Sequence, residues 1–197
     1  KKKKNLNTAV GYNSLTSNTT GSNNTAFGGS SLATNSTGGS NTAIGFGALT
    51  ANTTASNNVA VGQDSLGTNT TGTFNVAVGT SALVVNTTAS NNTALGFFTL
   101  KNNTTGASNT ALGSDALQKN TTASNNTAVG LHALLENTTG ASNTAVGSKA
   151  LDANTTGFQN TSVGYLSLSS NTTSSNNTAL GYISLGANTT GSQNTAV

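Results

Sequence analysis

The sequence predicts an all-β fold: a parallel β-solenoid with two short strands in each 17-residue coil. Three observations lead there. The composition is narrow, the repeat has a fixed period, and the invariant residues are poor helix formers.

Thr, Asn, Ala, Ser and Gly make up 141 of the 197 residues, and only 6% of the chain is charged. Ordinary soluble domains carry roughly 25% charged residues. Low charge and high polarity would suit a disordered chain, but the spacing argues for order. A motif close to Asn-Thr-Ala-(Val/Leu)-Gly begins at Asn7 and returns every 17 residues, up to Asn194. The consensus is N-T-A-V-G-x-x-A-L-x-x-N-T-T-G-x-x, numbered here as positions 1 to 17. Position 1 is always Asn, and in the eleven full repeats Gly at position 5, Leu at 9, Asn at 12 and Thr at 14 are unbroken. A disordered chain has no need of an invariant Leu in fixed phase. Stacked coils do, because each must seat on the last.

Three segments follow. Residues 1–6 are a lead whose four lysines read as a basic tail or the scar of an expression tag. Residues 7–193 hold the eleven repeats, and residues 194–197 begin another, so the array reads as truncated. Seventeen residues are too few for the two helices of a helical repeat unit. At about 3.3 Å per residue they supply two short strands and two turns. Strand one is placed at N-T-A-V-G and strand two around A-L-x-x-N-T, with turns near positions 6–7 and 14–17. Coils stacked at about 4.8 Å would form a rod of roughly 50 Å.

The core is assigned to the Leu column: Leu15, Leu32, Leu49, Leu66, Leu83, Leu100, Leu117, Leu134, Leu151, Leu168 and Leu185. Residues at positions 2 and 4 are expected to join it, since strand side chains alternate. Position 3 would then face outward. That small face (Ala9, Ala26, Ala43, Ala60, Ala77, Ala94, Ala111, Ala128, Ala145 and Ala179, with Ser162) is the expected oligomer interface. The apolar content of one coil is thin against the entropy of ordering 17 residues, so burial between chains is expected.

Repeats such as Asn58-Val59-Ala60-Val61-Gly62 and Asn75-Val76-Ala77-Val78-Gly79 resemble the S-V-A-I-G head repeats of YadA-like trimeric autotransporter adhesins. The longer unit, from Asn7-Thr8-Ala9-Val10-Gly11 to Asn18-Thr19-Thr20-Gly21, also resembles repeat regions of tail-fibre-type surface proteins. The likeness covers residues 7–197. It implies a left-handed β-roll, three chains about one axis, and an extracellular place on a cell surface or virion fibre. The 17-residue unit is longer than the usual adhesin head unit, and no stalk, anchor or tip lies in these residues. The expected role is a rigid structural segment that spaces or presents a tip. Its partner would be the chain itself, as homotrimer or filament. Contact with a host surface or matrix would come from regions elsewhere.

The position-12 column supports two readings. Asn18, Asn35, Asn52, Asn69, Asn86, Asn103, Asn120, Asn137, Asn154, Asn171 and Asn188 could stack as amide ladders. Each also opens an N-x-Thr glycosylation sequon, as do Asn23, Asn91, Asn102, Asn125 and Asn176. A glycan-coated filament is therefore an alternative. So is an ice- or ligand-binding solenoid using the Thr columns.

Charges fall in columns: Asp115, His132 and Lys149 at position 7, and Lys119 and Glu136 at position 11. These are read as surface pairs. His132 is the only His, and no Cys is present, so no multi-His or thiolate metal site is expected within one chain. No phosphate loop or calcium nonapeptide occurs. No catalytic constellation is assembled, so an enzyme and a cofactor are not expected. Lys1 to Lys4 account for the net charge of +3; the remaining seven charged residues are nearly balanced, which argues against nucleic-acid binding. No apolar run approaches the ~18 residues of a membrane span.

Overall fold

The computed structural model describes residues 5–197; the lysine tetrad lies outside the described residues. The chain is an all-β parallel solenoid of about eleven coils. Its strands run from β1 (Thr8–Val10) to β12 (Thr195–Ala196), one per coil, in a single sheet in chain order. Every pairing is parallel, and the register joins like with like: Ala60 faces Ala43 on one side and Ala77 on the other. With no insertion, each residue sits above its counterpart 17 positions earlier.

Each coil has one strand of three residues, where the spacing predicted two. The second segment still bonds between coils. Leu100 N–H donates to Ala116 O at 3.0 Å and Asn102 N–H to Gln118 O at 3.0 Å. It is an arch because positions 7 and 9 are both left-handed, as in Phe98 (φ 54) and Leu100 (φ 50). Two left-handed residues flanking one other turn the chain sharply, so no extended run survives. A third left-handed corner closes the coil at position 17, where Asn23, Asn57, Asn91, Asn125 and Asn176 sit at φ 61–62. Asn tolerates that region better than most side chains.

The Gly of position 5 ends the strand at φ 128–138. A Cβ on Gly113 would stand 2.6 Å from the Gly130 carbonyl oxygen. The next coil passes too closely for any side chain there.

The interior inverts the expected facing of the strand. Positions 1 and 3 point inward, and positions 2 and 4 point out. Ala43, Ala60, Ala77, Ala94, Ala111, Ala128, Ala145 and Ala179 are fully buried within one chain, and Ala26 is 1% exposed. Only Ala9, in the first coil, is open. These alanines therefore cannot form an interface between chains. The physical reason is width. The Leu column enters from the arch, with Leu32 through Leu168 fully buried, and leaves room opposite for a methyl group only. Small residues at position 8, such as Ala82 and Ala116, complete this narrow core.

Polar atoms occupy the rest of the interior. Two Asn columns run the length of the rod. At position 1, each Asn side-chain oxygen accepts the next Asn backbone N–H, as in Asn92 N–H to Asn75 Oδ1 at 3.0 Å. At position 12, amide stacks on amide, as in Asn86 Nδ2 to Asn69 Oδ1 at 2.8 Å. Both columns then converge on the carbonyl of position 15. Ala89 O accepts Asn75 Nδ2 at 2.9 Å and Asn86 Nδ2 at 3.0 Å. That carbonyl clamps the two sides of the coil together. Among the described residues, no buried side-chain polar atom lacks a partner.

Candidate functional site

The position-12 ladder takes its own asparagines out of the glycosylation reading. The nine Asn from Asn35 to Asn171 are fully buried, so none can carry a glycan in the folded chain. The terminal Asn18 and Asn188 are partly buried in the same ladder. Exposed sequon Asn side chains are Asn23, Asn91, Asn125 and Asn176 at position 17, and Asn102 at position 11.

Three surfaces remain. The first is the outward face of the sheet, made of positions 2 and 4. Val10, Phe27, Ile44, Leu95, Leu112 and Leu180 are exposed on it, and partly buried valines such as Val61, Val78 and Val129 fill the coils between. Beside them run the Thr or Val residues of position 2. No charged residue interrupts either column. Apolar columns running the length of the rod differ from the scattered exposed residues of an ordinary surface.

The second surface is the position-14 column. All eleven threonines from Thr20 to Thr190 are exposed at equal spacing. They stand on bends outside the strands. The neighbouring position-13 hydroxyls bond to the next coil, as in Thr70 Oγ1 to Thr87 O at 3.0 Å.

The third is the arch, positions 6 to 11, which carries nearly all the charge and most aromatics. Lys119 Nζ lies 2.6 Å from Glu136 Oε2, with both side chains exposed. Asp115 Oδ2 lies 3.7 Å from His132 Nε2, and the same carboxylate accepts Ser114 Oγ at 2.8 Å and Gln118 Nε2 at 2.6 Å. These pairs are the stacked columns expected from positions 7 and 11. Exposed pairs contribute roughly 0–1 kcal/mol each. Lys149 stands three residues from Asp152. Burial pushes the Asp152 carboxyl above its ordinary value of 3.8, and the Lys149 charge pulls it partly back. No group of three metal-ligating side chains occurs among the described residues.

Aromatics also stack along the arch. Tyr165 and Tyr182 lie 5.6 Å apart at 15°, and Phe97 and Phe98 lie 3.8 Å apart at 26°. Lys101 Nζ sits 4.0 Å over the Phe98 ring, a cation–π contact. Between coils 2 and 5 the arch is notched by a groove of about 410 Å³ lined by Phe46, Gly47, Thr50 and Asp64 among others. Nothing in the consensus points to it, because it arises from departures from the repeat. No helix among the described residues is long and apolar enough to cross a membrane. Comparison with family models, with curated proteins and with solved structures finds no match.

Proposed function

We propose that the chain is a rigid structural segment of an extracellular fibre or surface adhesin, and that it associates with further copies of itself through the outward face of the strand. One observation carries this reading: an uncharged, apolar column at position 4 that runs unbroken along the rod. A second copy is the natural partner, because it alone presents the same column at the same coil spacing. The likeness to YadA-like head repeats adds threefold symmetry and the extracellular setting. The Asn ladders suit a load-bearing rod, since hydrogen bonds and packing tie each coil to the next.

Site-directed cross-linking tests it. The chain has no Cys. Val78→Cys, on the outward face, is expected to form a covalent dimer on mild oxidation. Thr71→Cys, on the position-14 column, is not. Equal yields from both would overturn the proposed face. Extracellular placement predicts that intact source cells or particles bind antibody raised against the chain.

The evenly spaced, exposed threonines of position 14 favour a second reading, an ice- or ligand-binding surface. Thermal hysteresis measured on the purified chain decides the ice version. An inactive solution removes it.

A further inference from the structure

A strict repeat has strict surfaces, so a concavity must come from residues that break the pattern. The groove on the arch does. At position 7, where ten coils carry a side chain, coil 3 has Gly47. At position 10 of the next coil stands Gly67. A Cβ on Gly47 would collide with Asp64 Oδ1, and one on Gly67 would come 3.2 Å from the Asp64 carbonyl and 3.7 Å from Val84 Cγ2. The two missing side chains open a groove of about 410 Å³. That falls within the ~300–1,000 Å³ of small-ligand sites.

Its lining has two characters. Phe46, 63% exposed, forms an apolar wall, and Val84 adds methyl groups. Opposite stand oxygen acceptors. Gln63 Nε2 approaches Asp64 Oδ2 at 3.3 Å and holds the carboxylate, while Oδ1 lies over Gly47. Asp64 has no ion-pair partner among the described residues, and its column neighbours are Gly47 and Ser81. Thr50 Oγ1 donates to Gly47 O at 2.7 Å and Thr68 Oγ1 to Val84 O at 2.7 Å. With those protons spent, both hydroxyls offer only lone pairs to a ligand.

The fitting ligand brings several hydroxyl donors on one edge and an apolar C–H face on the other. We propose that this groove is a saccharide-binding site for a neutral pyranose ring, with Asp64 accepting hydroxyl protons and Phe46 stacking on the C–H face. A wholly apolar ligand would bury the carboxylate unpaired, at a cost of several kcal/mol. An acidic sugar would meet the Asp64 charge. The site lies on positions 6, 7, 10 and 11, on the arch and not on the outward strand face, so it stands or falls apart from the fibre reading.

Saturation-transfer NMR on the full chain tests it, with methyl β-D-glucopyranoside, methyl α-D-mannopyranoside and methyl β-D-galactopyranoside as probes and glucuronic acid as the acidic control. At least one neutral glycoside is expected to receive saturation at its ring C–H protons, and glucuronic acid none. The repeat supplies replacements that neighbouring coils already fold with: Gly47→Ser and Asp64→Ser copy Ser30 and Ser81, and Phe46→Thr copies Thr80. Asp64→Ser is expected to weaken binding by about tenfold or more, the equivalent of one charge-assisted hydrogen bond; Gly47→Ser and Phe46→Thr are expected to weaken it by filling the groove and by removing the stacking wall, all three with an unchanged melting curve. No transfer to any of the three glycosides would overturn the proposal. So would binding that survives Gly47→Ser and Asp64→Ser.

Discussion

Asn120 Nδ2 donates to Asn103 Oδ1 at 2.8 Å and, with its other proton, to Ala123 O at 3.0 Å. Asn120 Oδ1 in turn accepts from Asn137 Nδ2 at 3.0 Å. Every polar atom of this buried side chain is used, and the pattern passes from coil to coil. Asn120→Ala is expected to cost about 1–3 kcal/mol, the penalty of stranding its partners. Asn120→Asp should cost more at neutral pH, because a carboxylate would face the Asn103 and Ala123 oxygens. That carboxyl would titrate above its unfolded value, so stability should return as pH falls and the acid regains a proton. Urea denaturation at neutral and acid pH checks both; an Asp variant as stable as the parent would contradict the ladder.

Gly113 and Gly130 stack at the end of the strand with no room between them. Gly113→Ala must hold φ 128 and push against the next carbonyl. The dihedral alone should cost about 1–3 kcal/mol. The same change at Gly181, where the nearest atoms lie 4.0 Å from the added carbon, keeps only the dihedral strain. Comparing the two melting temperatures separates collision from strain.

Leu100 is fully buried although its backbone is left-handed at φ 50. Packing overrides a conformation that L-residues avoid. Leu100→Ala is expected to lose about 2–5 kcal/mol. Leu15→Ala, in the partly open first coil, should lose less. Thermal unfolding followed by circular dichroism reads the difference.

Ala94 and Leu95 are adjacent yet face opposite ways, one buried and one exposed. Ala94→Leu should overpack the core by about 1–3 kcal/mol. Leu95→Thr should leave the single chain's stability nearly unchanged and weaken self-association. Melting curves and dissociation on dilution distinguish the two, and the reversed result would restore the facing expected from hydrophobicity.

Asp152 is held above its ordinary value by burial, with Lys149 opposing. A raised acid favours the folded state when protonated. Its charged form therefore weakens the fold above the raised value, and the penalty fades as pH falls toward 3.8. Asp152→Asn should raise the melting temperature slightly at neutral pH and have no effect in acid.

The period, the parallel stacking and the Leu core were legible because 17-residue identity leaves few other ways to bury one Leu per coil. Facing was not. Hydropathy favours Val78 inside over Ala77, but the space left by Leu83 admits only the smaller residue. The invariance of small residues at positions 3 and 8 was the available signal. The arch reads as a strand because a left-handed Leu leaves no mark in the sequence: Leu83 at φ 52 looks like any strand Leu. Burial of the Asn column can be argued either way from sequons alone, and only the clamp on the position-15 carbonyl shows why Asn86 must point in. The groove at Gly47 and Asp64 escapes because a consensus averages away the coils that differ.

Native mass by light scattering, at two concentrations and before and after enzymatic deglycosylation, tests the central claim most directly. Threefold self-association through the outward strand face predicts a stable threefold multiple of the 19.3 kDa chain that persists after the enzyme treatment. A persistent monomer at both concentrations would contradict it.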